Sequence, residues 1–415
     1  MAASAARRLA SRLDELGRVS DEPDRLTRTF LSPAMREANR LVGGWMRDAG
    51  LAVREDAAGN LIGRLASAAP GAKTLLLGSH LDTVIGAGRF DGALGVLLPI
   101  AALEELGSRG TRLPYDIEVL GFSEEEGVRF GGAYLGSKGY TGRLRAVDLA
   151  LEDGAGVSVR RALEAHHGRP FRFPRPAHRS RDLLGYVEVH IEQGPVLEER
   201  GLALGVVSAI AGQSRVKLRW QGRAGHAGTT PMALRRDALA GAAEFVLAAE
   251  ALARKKPALV ATVGALAVEP GAANVIPGEV VHTLDVRDPR DKVRAGALSR
   301  LESAAHRIAS RRGLALDWRP IQENGAVACA PGLTTLLAQS VRALQGECPR
   351  LVSGAGHDAV ILSSLAPIAM LFVRCRGGLS HHPEEHASRA DLALALAATV
   401  DFLERLAQKA RKAGS

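Results

Sequence analysis

Short apolar segments that alternate with helical patterns constrain the fold of this chain more than any other feature of its sequence. Continuous apolar runs of strand length lie at residues 74–78, 117–122, 187–191 and 368–373. Runs of this length predict strands that are buried on both faces. A helical pattern at residues 94–106 separates the first two runs. Because strands and helices alternate, we expect an α/β sheet with helices on both faces.

The middle of the chain has a different pattern. Residues 214–220 alternate between polar and apolar side chains, as a half-exposed strand does. A helix, two strands, a second helix and a last strand are then predicted at residues 235–254, 258–268, 279–286, 291–312 and 314–320. This β-α-β-β-α-β order is the split, ferredoxin-like arrangement.

The length of the chain favours two domains, because 415 residues exceed what one hydrophobic core usually supports. We expect a first domain formed by residues 1–210 and 326–415, with a smaller α+β domain inserted at residues 211–325. We also expect an amphipathic helix at residues 4–17 rather than a targeting peptide, because acidic residues follow the basic start.

The composition of the chain limits the classes of molecule that we expect it to bind. The net charge of +9 is compatible with nucleic-acid binding, but only 4% of residues are aromatic and no basic stripe alternates with stacking residues. We therefore expect no nucleic-acid partner, and the positive field favours small anionic substrates. No apolar run approaches the roughly 20 residues that span a bilayer, so no membrane partner is expected. The widely spaced Cys329, Cys348 and Cys375 predict reduced thiols in a cytoplasmic protein.

The first residues that suggest chemistry follow the strand at 74–78. His80 lies at the carboxyl end of this strand, which is the edge where open α/β sheets bind ligands. Taken alone, His80 is either a structural histidine or a metal ligand. An imidazole is a good zinc ligand, and Asp82 can hold its other nitrogen. Asp91 precedes the next helix and has two interpretations: it caps that helix, or its two oxygens bridge two cations.

Three consecutive acids come directly after the strand at 117–122, namely Glu124, Glu125 and Glu126. They form either a solvated acidic turn or a set of carboxylates that hold cations. In the second case one acid ligates a metal while its neighbour faces the substrate as a general base.

Two more histidines lie near strand ends. His190 alternates with the apolar side chains of its strand, so it is either a buried core histidine or a ligand. His381 follows the strand at 368–373. Histidine and carboxylate ligands without thiolates suit Zn²⁺, and Mn²⁺, Co²⁺ and Ni²⁺ are compatible. Because the sequence contains neither a glycine-rich phosphate loop nor a G-x-S-x-G motif, it favours a metal site over those chemistries.

The inserted domain carries a second group of polar residues. His226 lies in a turn between a strand and a helix, where it can donate to a developing oxyanion. Arg287 ends a strand and is either a surface residue or a fork that binds a substrate carboxylate. Asn274 lies in a turn, where capping is the structural alternative to substrate contact.

Motifs in matching order, from about Leu13 to the last helix, resemble the M20 metallopeptidase superfamily and within it the hydantoinase/carbamoylase branch. The motifs are GSHLDTV, FDGALGV, FSEEEGVRF, VHIEQGPVLE, AGHAGTTPM, NVIPG, SGAGHDA and GLSHHPEE. Two of them, HIEQGPVLE and HAGTTPM, are typical of this branch rather than of M20 peptidases in general.

The resemblance implies a role for each candidate residue. Two divalent metal ions, with Asp91 as the bridging ligand, would be held by His80, Asp91, Glu126, His190 and His381. The implied catalytic residues are Glu125 as general base, Asp82 as the residue that orients His80, and His226. The implied substrate-binding residues are Gln193, His226, Asn274, Arg287 and His357, with Asp358 as further support. His382 departs from the Asn that is usual in the branch, and His381 is kept as the ligand because it directly follows Gly-Leu-Ser.

The resemblance also implies a fold and an assembly. The expected fold is a zinc-exopeptidase-like α/β catalytic domain with a mostly parallel mixed sheet. The inserted ferredoxin-like domain is expected to act as a lid and to form a homodimer.

The implied activity is hydrolysis of a non-peptide carbon–nitrogen bond in a small ureido or carbamoyl substrate that bears a carboxylate. The stretches DTVIGAGRFDGALGV and GFSEEEGVRF favour allantoate, which would yield ureidoglycine, ammonia and carbon dioxide. N-carbamoyl-L-amino acids are the alternative substrates, followed by β-ureidopropionate and ureidoglycolate, and an M20 dipeptidase is a further alternative. A metal-binding protein without catalysis is disfavoured, because every expected ligand and the base are present.

Overall fold

A computed structural model describes residues 2–414, which form two compact units. The first unit contains the described residues up to Ser208, the segment Cys329–Leu351 and the described residues from Gly356 onward. The second unit contains Ala209–Ala328 and Val352–Ala355.

The described elements are numbered in chain order. Helices α1 to α12 are Ala2–Leu16, Pro33–Asp48, Ala93–Ser108, Leu135–Tyr140, Ala146–Leu149, Val159–His167, Val196–Glu199, Ala238–Ala253, Asp291–Arg312, Pro331–Gln345, Asp358–Leu362 and Arg389–Gly414. Strands β1 to β16 are Ala52–Glu55, Leu61–Leu65, Thr74–His80, Asp116–Phe122, Leu183–Ile191, Leu204–Ile210, Gly212–Gln221, Gly225–His226, Val260–Thr262, Leu266–Glu269, Val275–Ile276, Glu279–Asp288, Ala315–Asn324, Val327–Ala328, Arg350–Ser353 and Ile368–Val373. Short 3₁₀ helices lie at Ser180–Asp182, Met232–Leu234 and Arg376–Gly378.

The first unit is built on one mixed sheet. Its strand order is β1-β2-β4-β3-β5-β16-β6, and β15 also pairs with β6. The neighbours among β4, β3, β5 and β16 pair in parallel, whereas β1, β2 and β6 run antiparallel to their neighbours. These parallel strands are the predicted apolar runs, so the expected α/β fold with a mixed sheet is confirmed.

Helices α1, α3 and α12 pack against one another beside this sheet. Helix α1 is the amphipathic helix that the sequence predicts, with Leu9, Leu13 and Leu16 buried at helical spacing. Its polar face reaches α3, because Arg12 forms an ion pair with Glu104 at 2.8 Å. Helix α12 is the longest, but no helix in the described part of the chain is long and apolar enough to cross a bilayer.

The second unit has its own antiparallel sheet, with the order β10-β12-β7-β13 and with β9 also beside β12. Its core includes Trp220, Phe245 and Leu301, which α8, α9 and the sheet bury together. The one strand predicted at residues 258–268 is two strands, since one extra residue between β9 and β10 forms a bulge opposite Thr283.

The helix predicted from residue 235 begins instead at Ala238. The side chain of Asp237 accepts a hydrogen bond from the Ala240 amide at 3.0 Å and caps the first turn. An N-cap aspartate supplies the partner that the first amides of a helix lack, so the helix begins directly after it.

A buried arginine holds the segment that follows β3. Arg28 is 1% exposed, and its Nε donates to the carbonyl of Leu81 at 2.6 Å. Its Nη1 donates to the carbonyls of Leu16 and Val19 at 3.1 and 3.0 Å. The main chain of Arg28 also exchanges hydrogen bonds with Thr83. Burial lowers the pKa of Arg28 to about 10, so the guanidinium stays charged at neutral pH and ties α1 to the strand end that carries the candidate site.

Replacing Arg28 with Leu should destabilise the first unit by about 3 kcal/mol or more, because three carbonyl groups lose their buried donor. The midpoint of urea unfolding, followed by circular dichroism, measures this loss. Arg25→Leu is the control, since Arg25 pairs with Glu22 at the surface and should contribute less than about 1 kcal/mol. Equal shifts in the two variants would contradict the assigned role of Arg28.

Candidate metal centre

Three side chains converge at the carboxyl edge of the parallel strands. His80 ends β3, His190 lies one residue before the end of β5, and Asp91 lies in the loop before α3. Oδ1 of Asp91 is 3.5 Å from Nε2 of His80 and 3.1 Å from Nε2 of His190. Each residue is no more than 5% exposed. Asp91 is not the helix cap, because α3 is capped at Gly92 without a side-chain hydrogen bond.

The orientation of both rings suits metal binding. Nδ1 of His80 lies 2.9 Å from the carbonyl of Asp82, whose carboxylate is farther away at 3.5 Å. Nδ1 of His190 lies 2.9 Å from the carbonyl of Ile191. A ring that donates its Nδ1 proton to a carbonyl presents the lone pair of Nε2, and here both Nε2 atoms face Asp91.

Oδ1 of Asp91 accepts no hydrogen bond among the described residues, although it is fully buried. Buried carboxylate oxygens normally have a partner, and an oxygen that faces two imidazole nitrogens can share a cation with them. The residues present therefore fit a divalent metal ion.

The charges of the site favour a cation in the same way. Burial lowers the pKa of His80, but the nearby carboxylates of Asp82 and Asp91 raise that pKa well above its usual value. Burial raises the pKa of Asp91, but His190, His381 and His80 hold it well below its usual range. The carboxylates thus attract either protons or a metal ion to the imidazoles, and the two compete.

His381 and Glu126 lie around the other oxygen of Asp91. Nε2 of His381 is 3.3 Å from Asp91 Oδ2 and 3.3 Å from Glu126 Oε1. Hydrogen bonds to Asp91 and Glu126 raise the pKa of His381 to about 10. The neighbouring His382 instead accepts a hydrogen bond from the Glu384 amide. The structure therefore brings all of the predicted metal ligands together around one carboxylate.

The acidic turn after β4 is buried at its first two residues rather than solvated. The two oxygens of Asp82 accept hydrogen bonds from the amides of Glu125 and Glu126, at 3.0 and 3.1 Å. Glu124 accepts a hydrogen bond from the Gly127 amide at 2.6 Å. Asp82 and Glu124 therefore shape the turn, and this gives Glu124 the structural role that the sequence did not suggest.

Glu125 is a buried acid that binds a proton more readily than an ordinary glutamate. It is 8% exposed, and burial raises its pKa well above the usual value, with further contributions from Glu126 and Asp358 and with opposition from His80. A carboxylate that binds a proton this readily can accept one from water and later donate it. Oxygens of Glu125 and Glu126 both lie within 4.8 Å of a His80 nitrogen, so proximity alone does not distinguish base from ligand.

A polar network that the sequence did not predict surrounds the carboxylate and the backbone amide of Asp91. Gln193 Nε2 and Ser380 Oγ donate to Asp91 Oδ2 at 2.9 and 2.7 Å. Glu385 accepts hydrogen bonds from the amides of Phe90 and Asp91 at 2.8 and 3.0 Å. Gln193 was predicted to contact substrate, and its amide nitrogen holds the Asp91 carboxylate. The only signal for Ser380 and Glu385 was their position in the GLSHHPEE motif.

A second layer of buried polar groups lies behind His190. The ring of His357 packs edge-on against His190, with centroids 4.6 Å apart, and Glu188 and Asp358 are fully buried. Glu188 accepts hydrogen bonds from Ser79 at 2.7 Å and from the Ala359 amide at 3.2 Å. His357 and Asp358 were predicted to support the site, but Glu188 was missed. Strand alternation could have found it, because Glu188 and His190 share one face of β5.

In the second unit the predicted residues form two groups. His226 pairs with Val275 across β8 and β11, and the Ala227 amide donates to the carbonyl of Asn274, so His226 and Asn274 lie in adjacent turns. Nδ1 of His226 accepts from the Gly228 amide at 3.0 Å, which leaves its proton on Nε2.

Arg287 forms the other group. Its guanidinium holds both oxygens of Asp285 at 2.8 and 3.1 Å and also donates to the carbonyl of Gly354 at 2.5 Å. These hydrogen bonds hold the Arg287 guanidinium in one orientation, so Arg287 is not a free surface side chain.

The loop before α3 approaches His80 so closely that only glycine fits at position 92. A Cβ atom there would lie 2.4 Å from Cε1 and Nδ1 of the His80 ring, and Gly92 has a φ of 66°. Gly92 therefore allows Asp91 and His80 to lie side by side.

Gly92→Ala should reduce metal affinity by at least about tenfold, because the added methyl group displaces the His80 ring. Dialysis against a metal buffer, followed by metal analysis, measures this change. Gly71→Ala is a matched control, since Gly71 has a φ of 65° but an added methyl group there would meet no atom within 4 Å beyond its chain neighbours. Both variants place a side chain at a positive φ, although Gly92 (φ 66°, ψ −55°) lies outside the left-handed helical region, and equal metal affinities would refute the steric argument.

Comparisons with known proteins show the family to which the chain is similar. The family model described as Peptidase family M20/M25/M40 matches residues 76–405. Allantoate deiminase 2 of Glycine max is 40% identical, over 95% of this chain and 88% of the relative. N-carbamoyl-L-amino acid amidohydrolase of Geobacillus stearothermophilus is also 40% identical, over 97% of this chain and 98% of the relative. A hydantoinase/carbamoylase-family amidase from Burkholderia multivorans has a TM-score of 0.91 at 32% identity, and the match covers 96% of this chain and 97% of that one.

These matches confirm the resemblance to the M20 superfamily and its hydantoinase/carbamoylase branch. They also confirm the prediction of a hydrolase that acts on carbon–nitrogen bonds other than peptide bonds. The family model spans well over half of the chain. This chain therefore belongs to the M20/M25/M40 peptidase family.

Proposed function

We propose that this protein hydrolyses allantoate to ureidoglycine, ammonia and carbon dioxide with two divalent metal ions. The proposal rests on the buried Asp91 Oδ1, which faces two imidazole nitrogens and accepts no hydrogen bond in the described part of the chain. The proposed ligands are His80, Asp91, Glu126, His190 and His381. Zn²⁺ suits these nitrogen and oxygen donors best, and Mn²⁺, Co²⁺ and Ni²⁺ are compatible. Such ions, when bound, lower the pKa of a water molecule and polarise the scissile carbonyl group.

Proton transfer is assigned to Glu125. Its carboxylate takes a proton from the attacking water and passes it to the departing nitrogen, so that water is added across the carbon–nitrogen bond. The hydrogen bond from the Glu125 amide to Asp82 keeps this carboxylate in place beside His80. Its raised pKa supports both steps, because the group accepts a proton and holds it until the nitrogen departs.

Recognition of the substrate is assigned to several side chains. Arg287 binds the substrate carboxylate with the guanidinium that Asp285 orients, and Asn274 assists. The Nε2–H group of His226 donates a hydrogen bond to the oxyanion. A well-placed donor of this kind stabilises the transition state by about 3 kcal/mol. Gln193 keeps one buried oxygen without a partner among the described residues, and this oxygen can accept a substrate N–H group.

N-carbamoyl-L-amino acids are the second candidate substrates. One observation favours them: the N-carbamoyl-L-amino acid amidohydrolase of Geobacillus stearothermophilus is as similar to this chain as the allantoate deiminase of Glycine max. Both substrate types carry a carboxylate and a terminal carbamoyl group. The same general base, Glu125, and the same carboxylate-binding residue, Arg287, would therefore act on either substrate. β-Ureidopropionate and ureidoglycolate are smaller ureido acids of the same kind.

The second unit is proposed to be a ferredoxin-like lid through which two chains form a homodimer. The antiparallel strands β7 and β12 lie in the middle of its sheet, between outer strands. Along the chain, its strands and its two helices follow the order β-α-β-β-α-β. Large apolar side chains remain exposed on its helix and strands, among them Leu247 and Val260. Free Cys329, Cys348 and Cys375 support the proposal of a reducing, cytoplasmic environment.

Glu125→Gln should retain the metal content of the wild type and lower turnover by about 100-fold or more, because the proton acceptor is lost. Metal analysis and steady-state kinetics on the same preparation measure both properties. Glu124→Gln, at the adjacent position, keeps an oxygen that can accept from the Gly127 amide and should change turnover far less. Full activity of Glu125→Gln would exclude this residue as the base.

The substrate proposal is tested by ammonia release from allantoate and from N-carbamoyl-L-amino acids, together with a dipeptide panel. Metal-depleted protein is assayed with and without added Mn²⁺ or Zn²⁺. We expect kcat/KM for allantoate to exceed the other values by about tenfold or more, equivalent to about 1.4 kcal/mol of transition-state stabilisation. Preference for N-carbamoyl-L-amino acids would favour the second candidate, and activity on dipeptides alone would contradict both.

A further inference from the structure

A separate histidine–carboxylate cluster lies where the edge strand β1 meets the end of α6. Glu55 ends β1, and His166 and His167 end α6, which Gly168 terminates with a φ of 64°. Oε1 of Glu55 lies 2.6 Å from Nε2 of His166 and 3.9 Å from Nδ1 of His167. One ligand atom from each side chain lies within 4.8 Å of the other two.

The Glu55 carboxylate is oriented towards the two rings. Asn39 donates to its other oxygen, Oε2, at 3.1 Å, which turns Oε1 towards both imidazoles. The rings themselves are perpendicular, with centroids 4.8 Å apart, so they approach Oε1 from different sides. An outer hydrogen bond that fixes a carboxylate in this way is typical of metal sites.

The catalytic site of this protein uses the same arrangement. One oxygen of Asp91 is held by Gln193 and Ser380, and the other faces His80 and His190. In both clusters, neutral donors hold one carboxylate oxygen while two imidazole nitrogens approach the other.

A third histidine–carboxylate contact shows what an ordinary ion pair looks like in this protein. Nε2 of His178 lies 3.1 Å from Oε2 of Glu118, and the hydroxyl of Tyr140 donates to that same oxygen at 2.7 Å. One imidazole and one hydroxyl satisfy Glu118, and no second imidazole is grouped with them among the described residues. The second imidazole at Glu55 therefore needs a different explanation from simple pairing.

We propose that Glu55, His166 and His167 bind a divalent transition-metal ion of the Zn²⁺ type, separate from the proposed catalytic pair. Ligand atoms on a tetrahedral Zn²⁺ lie about 3.3 Å apart, and the two observed separations fall on either side of this value. Small side-chain rotations would therefore suffice to complete the site. The set of two nitrogens and one oxygen leaves a fourth position open.

The surroundings explain how such a site would be reached and what it would do. The side chains of His166 and His167 are 8% and 15% exposed, and His167 lines a cavity of about 390 Å³ together with Arg169, Phe171 and Arg172. The two arginines would attract an anion that completes the coordination. Because β1 pairs with β2 alone among the described strands, a metal ion here would fasten this edge strand to α6 and stabilise the folded state.

The test compares the full-length wild type with Glu55→Gln, His167→Gln and His178→Gln. Each protein is equilibrated with excess Zn²⁺, freed of unbound metal by gel filtration and analysed for zinc per chain by mass spectrometry. We expect the wild type and His178→Gln to bind equal amounts, and Glu55→Gln and His167→Gln to bind about one equivalent less. His178→Gln is the matched control because it removes an equally buried imidazole from a pair that lacks a second one.

A second measurement separates the metal site from an ordinary ion pair. Zn²⁺ added to metal-depleted protein should raise the melting temperature of Glu55→Gln and His167→Gln less than that of the wild type. Both variants should keep the wild-type turnover once loaded, because neither residue belongs to the catalytic site. Equal zinc contents in all four proteins would overturn the proposal, as would a Glu55→Gln variant that is less stable but loses no zinc. If one variant fails to fold, the zinc content of the other decides.

This inference does not depend on the proposed substrate. An allantoate or N-carbamoyl preference leaves the expected zinc difference unchanged, and a loss of the difference leaves the catalytic proposal intact.

Discussion

The carboxylate of Asp91, buried among three imidazoles, is the constraint on which the rest of the site depends. A buried carboxylate is costly unless charges and hydrogen bonds compensate it. Here His80 and His190 face one oxygen, His381 faces the other, and neutral donors from two loops hold that second oxygen. The same arrangement presents imidazole nitrogens and carboxylate oxygens that fit a divalent cation.

The sheet and its loops hold these side chains in nearly fixed positions. The parallel strands β3, β5 and β16 end at one edge, so His80, His190 and the segment before His381 arrive there together. The loops contain two residues with a strained backbone. Gln193 and His381 have positive φ values, of 55° and 57°, in a region that residues other than glycine rarely adopt. Strained residues of this kind persist where the surrounding contacts determine their conformation, which is typical of functional sites.

Histidine–carboxylate contacts in this protein differ in a way that carries functional meaning. Around Asp91 and Glu55, two imidazoles approach one oxygen while amide or hydroxyl donors hold the other. Around Glu118, a single imidazole and a tyrosine hydroxyl share one oxygen. Two imidazoles that approach one carboxylate oxygen are therefore the feature on which both proposed metal sites rest, and the single imidazole at Glu118 does not provide it.

The sequence by itself determined the mixed α/β sheet and the order of its motifs, because continuous apolar runs and the helical patterns between them are local signals. Positions at strand ends, together with the family motifs, also predicted His80, Asp91, Glu126, His190 and His381 as metal ligands. Only the tertiary structure decided that Asp91 bridges imidazoles rather than caps α3, and that Gln193, Ser380 and Glu385 hold it. It also brought Glu55 on β1 together with His166, which lies 111 positions away along the chain. Such contacts depend on how strands and helices pack across long sequence separations, and no local pattern records them.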